Sequence, residues 1–331
     1  MKQYIFFNPL VLVFGVYCLL SSSHIEAQEN DTFKYAFEAS TDNDALGIWE
    51  NYDRYYTFGI GLKFYFKSEQ FLGLQKLFPS KKHYFFDVEL RSEGYTPTRK
   101  SFSKEEILSD TLKFERPFAG LLYTKLNTTY TFERSFVKSE LLLGIMGPSA
   151  FAAEIQNWLH KYLPTSDLVE GWEYQLPNQL IVNFNIKTAC DLTPNSKLFD
   201  IYAAGEARFG NLYIDATPSL GFRFGKFNTL TESSAFNNDL LASFTAREFF
   251  LQTNISTTLA AFNGTAQGKM FGPKYKYALD HIHQAHAVIS NTVYITRKRY
   301  TISFQHNMVF GKVIPKSRHI YGVLNLRYRF N

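Results

Sequence analysis

The run from Tyr321 to Phe330 sets a pattern that most of the chain repeats. Leu324, Leu326, Tyr328 and Phe330 alternate with Asn325, Arg327 and Arg329. Successive side chains of a strand point to opposite faces, so this run has one apolar face and one charged face. Phe58, Ile60, Leu62, Phe64 and Phe66 alternate in the same way with Thr57, Gly59, Gly61, Lys63 and Tyr65. Phe86, Val88 and Leu90 alternate with Asp87, Glu89 and Arg91. Leu180, Val182, Phe184 and Ile186 alternate with Ile181, Asn183, Asn185 and Lys187. About twelve segments have this period and the length of tilted membrane strands. They lie near 33–42, 56–66, 83–95, 118–131, 135–146, 179–190, 198–209, 211–224, 240–254, 282–297, 299–311 and 319–330.

The connections differ in length. Gly210-Asn211 and Lys298-Arg299 leave room only for turns, whereas 67–82, 96–117, 147–178, 225–239 and 255–281 are long. A barrel with turns on one rim and extended loops on the other has this character. Residues Ser149 to Lys161 break the strand pattern and predict a short helix at the rim. The segment follows Gly147-Pro148, offers Ser149 as a cap and stops before Pro164. Ala152, Gln156 and His160 stand four apart and share one helical face, with the small Ala152 leaving space.

Composition decides between two uses of the pattern. A soluble β-sandwich would bury the apolar face as core; a membrane barrel would turn it to lipid and the charges to the lumen. Aromatic residues make up 17% of the chain, with 33 Phe and 21 Tyr, as interfacial girdles require. Mean hydropathy is only -0.20. After the N-terminus no apolar stretch approaches the ~20 residues of a membrane helix. Lipid tolerates no open sheet edge, so the expected fold is all-β: a closed antiparallel transmembrane barrel with a short loop helix.

Residues 1–27 carry the marks of a secretory signal: Lys2, the apolar run Val11 to Leu20, then Ile25-Glu26-Ala27. A membrane anchor and a lipoprotein processed at Cys18 are the alternatives, but the run is short for the first and Tyr17 is a poor neighbour for the second. The barrel domain then spans 28–331 and keeps one cysteine, Cys190, which excludes an internal disulfide. The formal net charge of +5 comes without a continuous basic run, so no nucleic-acid partner is indicated. Membrane lipid is the expected surrounding, and the bacterial outer membrane the expected location.

Four groups of residues could carry chemistry. Asn43 and Asp44 close the first strand, and Thr57 opens the second one short loop later. Their oxygens suit a hard cation such as Ca²⁺, and they equally suit an Asx-rich turn with no metal. Arg116, in Glu115-Arg116-Pro117-Phe118-Ala119-Gly120, could hold a phosphate or an oxyanion, or simply solvate the rim. Gln156 and His160 place a carboxamide beside an imidazole, and histidine is the commonest general base at neutral pH. His281, His283 and His286 invite zinc but bring no evident further ligand. Ser219 and Ser243 lie in no G-x-S-x-G context, so a serine hydrolase has no motif here.

Order and spacing of these pieces resemble the outer-membrane lipid A 3'-O-deacylase family. The matching residues are Asn43-Asp44, Asp53-Arg54-Tyr55-Tyr56-Thr57 with Gly59, and Arg116-Pro117-Phe118-Ala119-Gly120. Gly147-Pro148 with Glu154, Gln156-Asn157 and His160 follow, then Gly171-Trp172-Glu173-Tyr174-Gln175-Leu176. The resemblance implies a twelve-stranded barrel with a site between its wall and a loop helix. It implies a Ca²⁺-dependent ester hydrolase that removes the 3'-linked acyloxyacyl group from lipid A or lipopolysaccharide. Asn43, Asp44 and Thr57 would surround the cation, His160 would be the base, Gln156 its neighbour and Arg116 a polar contact to substrate. Phe58, Phe118, Ala153 and Glu115 depart from the pattern. A transport or binding barrel and a phospholipase with the same Ca²⁺–His chemistry are the alternative expectations.

Overall fold

The computed structural model describes residues 32–47, 55–98, 114–162, 169–194, 196–312 and 318–331. The signal expected over 1–27 lies outside them. Twelve strands follow in order: β1 (Tyr35–Asn43), β2 (Phe58–Phe66), β3 (His83–Tyr95), β4 (Ala119–Thr131), β5 (Ser135–Met146) and β6 (Gln179–Asp191). The second half adds β7 (Phe199–Gly210), β8 (Tyr213–Lys226), β9 (Arg247–Asn263), β10 (Ala285–Arg297), β11 (Tyr300–Phe310) and β12 (Arg318–Phe330). Each pairs antiparallel with its chain neighbours, and β1 pairs with β12 from Tyr35–Phe330 to Asn43–Gly322, which closes the barrel.

The apolar face is the outer one. Leu324, Leu326 and Tyr328 of β12 are exposed, as are Leu180, Val182, Phe184 and Ile186 of β6. Arg327, Arg329, Ile181, Asn183 and Asn185 are buried. This inside-out arrangement excludes the sandwich, whose apolar face would be covered. Period two does the sorting, and an apolar surrounding makes it favourable.

The lumen is lined and crossed by pairs of opposite charge. Lys63 lies 3.2 Å from Glu89, Lys125 lies 3.5 Å from Glu140, and Lys138 lies 3.3 Å from Asp87. Arg91 bridges Asp42 and Glu93. Buried charges are tolerable when paired in this way.

The segment 227–246, between β8 and β9, folds inward at the rim that carries the chain termini. Asp239 meets Arg327 and accepts from Thr301 at 3.0 Å; Ser233 donates to Glu248 at 2.7 Å. Burial pushes the Asp239 carboxyl up, but Arg327 and Arg329 more than offset this and hold it below the usual range. Leu240 and Leu241 pack on Phe33, Tyr65 and Phe85. These two leucines drew the expected ninth strand to 240–254; they belong to the plug, and β9 begins at Arg247. The rims also differ from expectation. The tight turn after β7 and the tight turn after β10 lie on opposite rims, because an odd strand leads into one and an even strand into the other. One group of aromatic contacts lies at the terminal rim, where Tyr35 stands 5.6 Å from Phe330 and 5.8 Å from Phe64, and Phe66 meets Phe71 (5.2 Å).

Arg327 answers both Glu38 and Asp239 inside the barrel. Arg327→Met should lower stability by about 3–5 kcal/mol, because two buried carboxylates lose their shared cation. Urea unfolding in detergent micelles would measure the shift.

Candidate functional site

The loop between β5 and β6 holds α1 (Ala152–Tyr162). Its start differs from expectation. Pro148–Ala150 form a separate 3-10 turn, and Phe151 takes a left-handed conformation (φ 57°) before the helix begins. Ser149 does not cap α1. Its backbone N–H donates to Asn178 Oδ1 at 2.9 Å, and its hydroxyl accepts from Asn178 Nδ2 at 2.8 Å. The helix is thereby tied to the residue just before β6.

α1 lies against the outer wall of the barrel, not in its mouth. Gly120 of β4 has the parity of the outward Leu122, and a Cβ there would sit 2.6 Å from the Ala152 Cβ. Gly94 of β3 likewise leaves room for the Phe58 ring, which shares the outward face of Leu62 and Phe64 yet is only 1% exposed. Phe58, Phe114, Phe118, Ala152, Val169 and Trp172 form one apolar cluster between wall and helix. Ala152 therefore fills the contact; it leaves no space. Phe58 and Phe118, both departures from the family pattern, supply the floor on which α1 rests.

Gln156 is 1% exposed and held from one side. Its Oε1 accepts from Trp172 Nε1 at 2.8 Å, and the Trp172 ring sits 5.4 Å from Phe118. Its Nε2 is buried with no protein partner. Gln175 Oε1, beside Gly120, is also buried and unpartnered. The apolar seat of α1 thus holds one unpartnered amide donor, carried by the helix, and one unpartnered amide acceptor, carried by the segment before β6. Such groups are costly unless something polar answers them. His160 lies one helical turn beyond Gln156; its side chain is outside the described residues.

Asn43 and Thr57 are brought together where β1 ends and β2 begins. Asn43 Nδ2 donates to the Thr57 carbonyl at 2.9 Å and closes the loop between the strands. Asn43 Oδ1 accepts from the Ala45 N–H at 2.6 Å, so the Asx turn is present. Asp44 is 2% exposed in the 3-10 turn that follows. Thr57 Oγ1 lies 2.7 Å from Thr96 Oγ1 across the β2–β3 boundary. Thr96 escaped the sequence reading; the register that sets β2 against β3 is the signal that could have found it. An amide oxygen, a carboxylate and a hydroxyl are the right chemistry for Ca²⁺, and the amide and carboxylate oxygens keep further lone pairs. Among the described residues no three His, Cys, Asp or Glu side chains gather to hold a metal, the three candidate histidines included. The oxygen set therefore fits a low-charge calcium site but not a carboxylate cage.

Arg116 goes elsewhere. Its guanidinium lies 4.2 Å from the centre of the Tyr95 ring, and Nη2 donates to Thr265 at 2.6 Å. Tyr95 faces the lumen, where its hydroxyl donates to Glu93 at 2.8 Å. Arg116 thus covers the lumen mouth, while Gln156 sits on the other side of the wall. Burial lowers the pKa of Arg116, and its Nε has no partner. Glu115 does not face it as a counter-ion; its carboxylate accepts from the Thr98 N–H at 2.6 Å. Leu121, Leu142, Met146, Leu176, Ile181 and Leu212 narrow the same mouth with apolar surface. Within the lumen a cavity of about 490 Å³ remains among Asp42, Tyr56, Glu93, Lys125, His286 and Lys312.

Comparison with known proteins follows this architecture. The structure of LpxR from Salmonella typhimurium superposes with a TM-score of 0.70 at 16% identity, over 89% of this chain and 100% of that one. The β domain of the Bordetella autotransporter BrkA gives a TM-score of 0.44 at 9% identity, over 91% and 99%. The translocator domain of NalP from Neisseria meningitidis gives 0.38 at 8%, over 97% and 95%. No curated protein matches the sequence. The family model described as outer membrane protein LpxR matches residues 12–330. With twelve strands, a closed lumen-facing charge network and a loop helix on the outer wall, the chain belongs to the LpxR family of outer membrane proteins.

Proposed function

We propose that this chain is a lipid A deacylase of the outer membrane, hydrolysing the ester of the 3'-linked acyloxyacyl group. One observation carries the reading: the buried, unpartnered amide groups of Gln156, on the wall side of α1, and of Gln175, beside the outward-facing Gly120. A lipid held in the membrane reaches that wall without leaving its leaflet. A water-soluble substrate would be met at the lumen mouth instead. Family membership supports the same substrate class.

In this reading His160 takes a proton from water as that water attacks the ester carbonyl carbon. The acyl group leaves as a carboxylic acid, and the freed sugar hydroxyl takes up the proton. Gln156 Nε2, a buried donor with no protein partner, holds the attacking water or the carbonyl oxygen. A calcium ion held by Asn43, Asp44 and Thr57 would supply fixed positive charge where the ester oxygen gains negative charge. Trp172 keeps the Gln156 amide from turning, since its N–H occupies the amide oxygen. Arg116, across the wall, holds the rim together through Thr265 and Tyr95 and would act on the substrate only by positioning the Pro117–Gly120 segment.

The transport reading is opposed by the plug of 227–246 and by the charge pairs that cross the lumen. A phospholipase would share the wall-side access, and mass spectrometry of lipids from cells with and without the protein separates the two. Loss of the 3'-linked acyl group from lipid A is the expected change; lysophospholipid in its place would overturn the substrate.

His160→Ala should cut turnover by ~10²–10⁴-fold while the barrel still folds. Full deacylation by that variant would sink the proposal. Gln156→Leu keeps the volume but removes the donor, and should lower kcat on the order of 10²-fold. Stripping divalent cations should abolish turnover, with calcium restoring it; activity that persists in chelator would remove the cation from the reaction.

A further inference from the structure

The outward face of α1 has a composition that neither the barrel wall nor the proposed chemistry explains. Ala152 and Gln156 turn to the wall and are buried. Glu154, Trp158 and Lys161 form the opposite stripe at spacings of three and four residues, and Phe151 stands just ahead of the first turn. All four are exposed, Phe151 by 57% and Trp158 by 59%. A helix at an aqueous rim would gain nothing by presenting two large aromatics to water. The wall beside it is already a lipid-facing surface, for Leu62, Phe64, Val88 and Leu90 of β2 and β3 point outward and are exposed. Ile60, on the same face, packs partly against the cluster beneath α1. The helix therefore stands at the upper edge of the apolar belt and continues it.

We infer that α1 is an interfacial helix, seated in the membrane leaflet next to the rim opposite the chain termini, with Phe151 and Trp158 inserted among the lipids. The occupant of this face is the bilayer itself. Aromatic side chains favour the boundary between acyl chains and headgroups, and the charged ends of Glu154 and Lys161 remain at headgroup level. Two consequences follow from the geometry. The cluster of Phe58, Phe118 and Trp172 under α1 lies at the depth of the leaflet boundary. A lipid comes to Gln156 sideways, past the flank of the helix, without being lifted into water. The second consequence rests on the deacylase reading; the seating of the helix does not.

The test uses the full chain in vesicles of phosphatidylethanolamine and phosphatidylglycerol. In a Cys190→Ser background, single nitroxide labels go on Phe151→Cys and Trp158→Cys, with Leu90→Cys as the lipid-facing reference and Lys274→Cys as the exposed-loop reference. Labels at 151 and 158 should collide readily with oxygen and several-fold less with a water-soluble nickel chelate than the label at 274. Nickel accessibility equal to that at 274 would overturn the proposal. Because a label could disturb α1, the unlabelled protein provides a second measurement. Lipids brominated on the acyl chains should quench tryptophan fluorescence, and Trp158→Ala should remove a quenchable component. Quenching unchanged by that substitution would also overturn the proposal. Neither measurement requires turnover, so an inactive His160 pathway and a misplaced helix give separate results.

Discussion

A sheet surrounded by lipid has nowhere to place a free edge, since unpaired N–H and C=O groups meet no water there. The pairing of Tyr35–Asn43 with Gly322–Phe330 removes the last edge, and the other features of the molecule depend on it. Once β1 and β12 are joined, period two divides every strand into a lipid side and a lumen side. The charged side then has to be reconciled with an interior too narrow for bulk water around each group. The answer is mutual: Lys63 and Lys125 face Glu89 and Glu140 on neighbouring strands, and Lys138 and Arg91 reach Asp87 and Asp42 across one intervening strand. Closure, sorting and pairing are therefore one constraint seen at three levels.

Filling the lumen has a consequence for where chemistry can occur. Segment 227–246 joins Arg327 at one end, and Arg116, Tyr95 and the apolar residues around Leu121 and Met146 narrow the other. The outer wall is left as the place where buried polar groups and lipid can meet. Small residues make this possible. Gly94 and Gly120 flatten the wall so that Phe58 and Ala152 can sit close to it, and α1 then buries Gln156 against the outside of the barrel. The unpartnered Nε2 of Gln156 is expensive in so apolar a seat. A position that costs stability and is fixed by a dedicated Trp172 bond is the kind that a reaction retains.

Strand number, facing and closure were legible in the sequence because each follows from short-range alternation. β12 shows this best: Leu324 and Leu326 face out and Arg327 and Arg329 face in, as their parity requires. The ninth strand was not legible. Leu240 and Leu241 have the apolar character of a strand, and only the tertiary contact with Phe33, Tyr65 and Phe85 marks them as plug. The helix was legible as helix-forming composition between Gly147-Pro148 and Pro164, but its first residue was not. Phe151 in the left-handed region and the Ser149–Asn178 pair depend on a partner 29 residues away. The pairing of Asn43 with Thr57 was visible because one short loop joins them. Thr96 was invisible because only strand register brings it there.

The separation of Arg116 from Gln156 shows why local motifs cannot by themselves assemble a site. Arg116 and Gly120 are four residues apart, yet one reaches over the rim to Tyr95 and the other supports α1 from outside. The wall is a single sheet thick, so a change of two residues in where the chain crosses the rim decides which side a long side chain serves. Pro117 and Phe118 make that crossing. The Leu176 N–H donates to the Phe118 carbonyl at 2.9 Å, and Phe118 is fully buried beneath the helix. Arg116, before this point, turns inward, and β4 begins just after it. An arginine at 116 therefore stiffens the rim from the lumen side, and the buried amide of Gln156 on α1 stands on the other side of the wall.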